Sequence, residues 1–180
     1  TGASSLATRL IDAVVPTSLP VHAGETPANA LVRIGTQLNG AVLAVQGPPG
    51  TGKSWNAARL IRALLDDPRQ LKVGVTALSH AVIGGLLTTV GRPALQKAEP
   101  DQWCRHPDVE ATTQNKRVDD ALANGDHRLV GGTAWMWARD AMCDSVDVLI
   151  VDEAGQFSLA NAVAVARAAK SIVLLGDPQQ

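Results

Sequence analysis

The sequence predicts an α/β fold, a mostly parallel sheet with helices on both faces, and three observations carry that prediction. Short apolar runs alternate along the chain with segments of helical period. One run feeds a glycine-rich loop that opens directly into a helix, and another ends on two adjacent carboxylates. Strand–helix alternation buries strands on both faces and gathers their carboxyl ends at one edge, where such sheets hold ligands. At 180 residues, 46% hydrophobic and 18% charged, the chain suits one well-buried domain and is too short for two large ones.

Residues 1–40 are weakly patterned. Leu6, Leu10, Ile11 and Val14 suit one short helix face, and Pro16, Pro20 and Pro27 break the segment. It reads as a lead-in segment, a linker from an upstream domain. Residues 41–180 read as the domain proper. Ala41–Gln46 is a continuous apolar run, as expected of a strand buried on both faces. After the glycine-rich turn, Ala57, Leu60, Ile61, Leu64 and Leu65 form one helical stripe that Asp66-Asp67-Pro68 ends. The unit repeats with a strand over Leu71–Ala77 and a helix lined by Ile83, Leu86, Leu87 and Val90. Residues 91–126 are polar and proline-punctuated and read as an insertion with a helix or two. A third strand covers Arg128–Val130, a fourth Val148–Val151 and a fifth Ile172–Leu175. Ser158 is a good N-cap for an alanine-rich helix running through Lys170.

Composition excludes several classes. With 16 basic and 17 acidic residues the net charge is −1, so no overall basic field marks a nucleic-acid partner. That counts only mildly against one, because backbone amides and hydroxyls also hold phosphates. Cys104 and Cys143 are far apart and read as free thiols in a reducing cytoplasm. A zinc site from Cys104, His106, His127 and Cys143 lacks any paired ligand spacing. No apolar run approaches the ~20 residues of a membrane span, so no membrane partner is expected. The chain opens on Thr1 and stops at Gln180 inside what reads as a motif, and a fragment of a longer protein is expected.

The chemistry lies in two motifs. Gly47-Pro48-Pro49-Gly50-Thr51-Gly52-Lys53-Ser54 fits G-x-x-x-x-G-K-[ST], the phosphate-binding loop. Its glycines let successive backbone amides point inward at phosphate oxygens, and the following helix adds its positive end. Lys53 can bridge the β- and γ-phosphates, and the Ser54 hydroxyl can ligate Mg²⁺. A chance match is the plain alternative, and the position between strand and helix argues against it. Val148–Glu153 supplies the second half: Asp152 to hold Mg²⁺ through water, Glu153 to orient and deprotonate the attacking water. Alone, a solvated acidic turn would explain these carboxylates equally well. Two more strand ends, Thr76-Ala77-Leu78-Ser79-His80 and Gly176-Asp177-Pro178-Gln179-Gln180, suit a phosphate backbone and a γ-phosphate sensor respectively, though by spacing they are ordinary loops.

QGPPGTGKS, TALSHAVIGGLL, GGTAWMWA, VDEAGQFSLANAVAV and LLGDPQQ stand in the order of the early motifs of superfamily-one helicases. Residues 41–180 resemble the first RecA-like P-loop NTPase domain of the branch that includes the nonsense-decay helicase and the Okazaki-fragment nuclease-helicases. The likeness extends to bacterial fusions of a RecB-like nuclease with such a helicase. The resemblance implies ATP and Mg²⁺, and a track of single-stranded DNA or RNA. It also implies a second RecA-like domain in the same parent chain and a linked nuclease domain. It assigns Gly50, Gly52, Lys53 and Ser54 to triphosphate and Mg²⁺, and Asp152 and Glu153 to metal and water. Gln156 matches the glutamine after the acidic pair, Gln180 the γ-phosphate sensor, and Thr76, Ser79 and Thr133 the contacts to the strand's phosphates. The sequence departs from the family in lacking its adenine-reading glutamine motif. Gln37 lies in roughly that region without the usual context. The later motifs, with the second domain's arginine finger, fall beyond Gln180. That finger is worth ~10³–10⁵ in rate, or about 4–7 kcal/mol, so the fragment is expected to bind nucleotide and hydrolyse it very poorly.

Two rival functions share the phosphate loop and acidic pair: a P-loop ATPase that switches a protein partner without nucleic acid, and a degenerate nucleotide-binding module. The TALSHAV and GDPQQ segments favour the helicase, and intact Lys53, Ser54, Asp152 and Glu153 oppose degeneracy. Among the aromatics, Trp55 is expected to pack under residues 1–40, with stacking near the nucleotide or against the second RecA-like domain as the alternatives. One of Trp135 and Trp137 is expected in the core while the other can stack on a base, and Trp103 should anchor the insertion. His80 reads as a polar cap.

Overall fold

The computed structural model describes Leu10, residues 22–48 and residues 50–177. Leu6, Ile11, Val14, Pro16, Pro20, Pro49 and Gln180 lie outside the described residues.

Seven parallel strands form one sheet: β1 (Val42–Gln46), β2 (Val73–Thr76), β3 (Ala94–Lys97), β4 (Val109–Thr112), β5 (Leu129–Gly131), β6 (Val146–Val151) and β7 (Ala169–Gly176). Their order is β1-β7-β6-β2-β5-β3-β4. The helices are α1 (Pro27–Thr36), α2 (Lys53–Leu65), α3 (His80–Val90), α4 (Asn115–Asn124), α5 (Ala134–Trp137) and α6 (Leu159–Ala166). Helices α1, α2 and α3 share one buried cluster with Val73, Val75, Ile150 and Val173. Helices α4, α5 and α6 share the other with Val130, Leu149, Val151 and Ile172. Alternate residues of each strand therefore feed opposite faces, and the central strands are mostly apolar because both their faces are covered, whereas edge strand β1 is only partly buried. Right-handed crossovers explain the division. The chain steps outward from β1 to β3 with its helices on one face and returns from β4 to β7 with them on the other.

The doubly wound α/β expectation holds, with three differences of detail. Residues 91–126 add β3 and β4 to the far edge of the sheet, where the sequence showed no strand. Their period is masked by Gln96, which is fully buried. Its amide accepts from the Cys104 N–H at 2.6 Å and donates to the His80 carbonyl at 3.2 Å. Helix α6 stops at Ala166, short of Lys170, because residues from Ala169 onward pair with β6. Lys170 lies in β7, where its ammonium meets Asp147 at 2.8 Å. Finally, part of the weakly patterned lead-in is an ordered helix. Thr26 caps α1 by accepting from the Asn29 N–H, and α1 lies so close to α2 that a Cβ at Gly35 would stand 2.5 Å from Leu60 Cδ1.

Candidate functional site

Three strand ends build the site. β7 lies between β1 and β6, so the loop after β1, the acidic end of β6 and the Gly176–Asp177 end of β7 meet side by side. The β1 loop leaves toward α2 on one face and the β6 loop toward α6 on the other. Their divergence opens a crevice beyond the strand ends. Gly50, Gly52, Lys53, Ser54, Trp55, Asp152, Glu153, Gly176 and Asp177 line a cleft of about 340 Å³ there. A larger hollow of about 800 Å³ lies at the amino ends of the strands, away from these residues.

The loop has the shape its glycines allow. Gly50 (φ 77°) and Gly52 (φ 75°) are both left-handed, a region that penalises any Cβ. Gly52 caps α2 without a side-chain bond, which leaves the first N–H groups of a 13-residue helix open toward the cleft. The Lys53 ammonium folds back onto the carbonyls of Gly47 and Pro48, the latter at 2.9 Å. Thr51 tightens the same turn by donating to Pro48 O at 2.8 Å. The loop is anchored to β7 by Gly47 N–H donating to Gly176 O at 3.2 Å.

Across the cleft the Ser54 hydroxyl donates to Asp152 Oδ2 at 2.9 Å. Asp152 is 4% exposed and its other oxygen accepts from the Glu153 N–H at 2.9 Å. Its own N–H donates to Thr76 O, which fixes β6 against β2 at this point. Glu153 adopts φ 55°, a strained conformation for a residue with a Cβ. It turns the chain abruptly off β6 and leaves its carboxylate on the cleft wall.

The structure thus brings Gly50, Gly52, Lys53, Ser54, Asp152 and Glu153 to one cleft, with Gly47, Pro48 and Thr51 shaping the loop behind it. Gln156 does not line that cleft; it is exposed on the turn Ala154–Gln156. Of the expected strand contacts, Ser79 is exposed at the start of α3, Thr133 is half-buried at the start of α5, and Thr76 is wholly buried. Thr76 therefore presents no surface, because β2 is covered on both faces to its last residue. His80 follows the cap residue Ser79, and burial with a nearby Lys97 lowers its pKa. Trp55 is 55% exposed with the Arg59 guanidinium 5.2 Å over its ring, contrary to the expectation that it packs beneath the lead-in segment. Trp137 is the core tryptophan and Trp135 the exposed one. Trp103 anchors its loop by donating to Ala98 O at 3.1 Å. Asp177, 8% exposed beside Glu153, is a cleft residue that the sequence reading left unassigned. Its signal was its place at a strand end neighbouring both motifs.

The AAA domain family matches residues 29–180, which takes in the phosphate loop, both carboxylates and α1. The chain belongs to the AAA domain family. An AAA domain is a P-loop module for nucleotide, and the all-parallel sheet of this one is RecA-like. No curated protein matches this chain in sequence. Among solved structures, a nuclease-deletion mutant of the Type ISP restriction-modification enzyme LlaGI, in complex with a DNA substrate mimic, superposes with a TM-score of 0.59. The two are 16% identical, and the match covers 91% of this chain and 18% of that one. Among the described residues no helix is long and apolar enough to cross a membrane.

Proposed function

We propose that this AAA domain is the ATP-binding half of a nucleic-acid helicase of superfamily one. In this reading ATP hydrolysis drives movement along single-stranded DNA or RNA. The observation that carries the nucleotide chemistry is the meeting of Ser54 and Asp152 at 2.9 Å across a cleft that also holds Lys53 and Glu153. A hydroxyl and a carboxylate that close together offer the hard oxygens that suit Mg²⁺. Ser54 and Asp152 would hold the ion, which would neutralise charge on the phosphates. Mg²⁺ typically keeps waters and substrate oxygens for its other positions. The chain's own steps then follow. The α2 N–H groups bind phosphate oxygens, and the Lys53 ammonium exchanges the Gly47 and Pro48 carbonyls for the β- and γ-phosphates. Glu153 takes a proton from the attacking water onto its carboxylate.

The nucleic-acid part rests on the five ordered motifs and on the exposed Ser79 and half-buried Thr133 at neighbouring strand ends. The likeness to an enzyme solved on a DNA mimic adds support at the level of fold. In the same reading a second RecA-like domain, beyond Gln180, closes over the cleft and supplies an arginine finger, with Gln180 sensing the γ-phosphate. A protein-switch ATPase is the second reading. It is favoured by the near-neutral charge and by Leu159, which is 58% exposed. ATP hydrolysis by the full-length protein, with and without single-stranded DNA or RNA, separates them. The helicase reading expects stimulation by one nucleic acid, abolished by Lys53→Ala and lowered about 10²–10⁴-fold by Glu153→Gln. A Lys53-dependent rate indifferent to both nucleic acids would leave the switch.

A further inference from the structure

Helix α5 holds two tryptophans, Trp135 and Trp137, of opposite fates: the first is 87% exposed, the second wholly buried. The buried indole lies against the backbone of β2, so closely that a Cβ at Gly74 would stand 2.8 Å from its Cη2. Its Nε1–H donates to Val75 O at 3.1 Å, a carbonyl that also accepts the Gly132 N–H at 3.0 Å. The next carbonyl of β2, that of Thr76, accepts the Asp152 N–H at 2.9 Å, and Asp152 in turn accepts the Ser54 hydroxyl. One helical turn and three hydrogen bonds therefore link the exposed indole to the start of α2. Val75 and Thr76 are fully buried and Asp152 nearly so, and bonds made away from water are stiff and strong.

Trp135 is presented on a turn held at both ends. A Cβ at Gly132 would collide with Met136 Sδ at 2.4 Å. Arg139 locks the far end, donating to Met136 O at 3.2 Å and to Asp119 at 2.7 Å. A large apolar ring without cover, on a rigid mount, is shaped for an outside ligand. On α5 it is the large hydrophobic that stands exposed, since Met136 and Trp137 are buried and Ala134 is half-buried. The hydroxyls around it suit phosphate. Thr133 makes no side-chain cap bond to its own helix, and Ser79, at the adjoining end of β2, accepts from the Val82 N–H while keeping its proton to donate. A lone π face flanked by hydroxyls matches an unpaired base and its phosphates.

We propose that α5 is the relay between strand and nucleotide. Trp135 stacks on one unpaired base of a strand whose phosphates pass Ser79 and Thr133. Trp137, as a positioning residue, passes the displacement of the turn through Val75 and Thr76 to Asp152. This rests on the helicase reading and adds to it the base contact and the route of coupling. Thr76 supplies the second position such a relay needs. Its buried hydroxyl has no partner among the described residues. It lies on the Trp137 side of β2, since Val73 and Val75 point into the opposite cluster. An unmade buried bond favours any small shift that provides a partner.

The test uses the full-length protein, labelled oligo(dT) and oligo(U) for affinity, and ATP hydrolysis at saturating strand. Trp135→Ala should weaken strand binding about tenfold to hundredfold, the worth of one stacked base. Trp137→Phe keeps an aromatic ring on β2 but loses the N–H and part of the indole's bulk. It should bind strand like wild type while its strand-stimulated rate falls about fivefold, the scale of one hydrogen bond. Thr76→Val, which leaves Trp137 untouched, should also lose stimulation, and it serves if Trp137→Phe folds poorly. Unaltered binding by Trp135→Ala, or full stimulation in both Trp137→Phe and Thr76→Val, overturns the relay and leaves the helicase reading intact. A wild type that binds neither oligonucleotide overturns both.

Discussion

Gly74 and Gly85 will answer the addition of one methyl group in opposite ways. At Gly74 the new carbon would lie 2.8 Å from both Leu149 Cδ1 and the Trp137 ring, in the middle of the sheet where neither can retreat. Gly74→Ala should therefore cost about 1–3 kcal/mol, as overpacking does. At Gly85, inside α3, nothing lies within 4 Å of the added carbon. Gly85→Ala should stabilise by about 0.4–1 kcal/mol through the unfolded chain's lost freedom. Urea titration of both variants checks the pair, and a Gly74→Ala protein as stable as wild type would mean the indole does not lie on β2. At this scale the sequence was most legible where chemistry fixes the residue type. The meeting of Lys53, Ser54, Asp152 and Glu153 in one cleft was readable because few other side chains at that spacing serve phosphate and metal. Thr76 was not, because a hydroxyl at a strand end looks the same whether it faces solvent or a second layer of helices.

At the level of elements, α1 lies on α2 through Gly35, and a polar clasp ties its last turn to its own lead-in. Glu25 accepts two bonds from Arg33, at 2.7 and 2.8 Å, and the guanidinium holds its carboxyl at about 2, below the usual 4.5. Asp67, after α2, is likewise held at about 2 by the side chain and N–H of Arg69, which also donates to Thr36 O at the end of α1. A carboxylate whose folded pKa is depressed adds stability above its unfolded value and loses it as pH falls toward the folded one. The urea midpoint should therefore decline between about pH 4.5 and about pH 2, and Glu25→Gln should flatten that decline. A midpoint with the same pH slope in the variant would show the clasp to be idle. These elements were the least legible. α1 has only Ala30, Leu31 and Gly35 buried, and β3 hides a buried glutamine, so neither shows the periodicity that revealed β1, α2 and β6.

For the molecule as a whole, the cleft is made by loops following β1, β6 and β7, so a bound triphosphate ties together strands from both ends of the described sequence. Nucleotide at a hundred times its Kd should stabilise the fold by about 2.7 kcal/mol, read as a rise in Tm with Mg·ATP. The rise should vanish in Lys53→Ala; a rise that survives would place the nucleotide elsewhere. The doubly wound architecture was legible from the alternation of runs, while the order of strands was not, since nothing local in Val42–Gln46 says that its neighbour is Ala169–Gly176. That pairing joins Val42 to Ile172, and among the described residues β7 is the one neighbour β1 has. During synthesis the phosphate loop and its strand emerge before β7 and cannot be seated until it has followed. In that interval the nascent chain carries an apolar strand without its sheet partner, a period in which chaperones have something to hold.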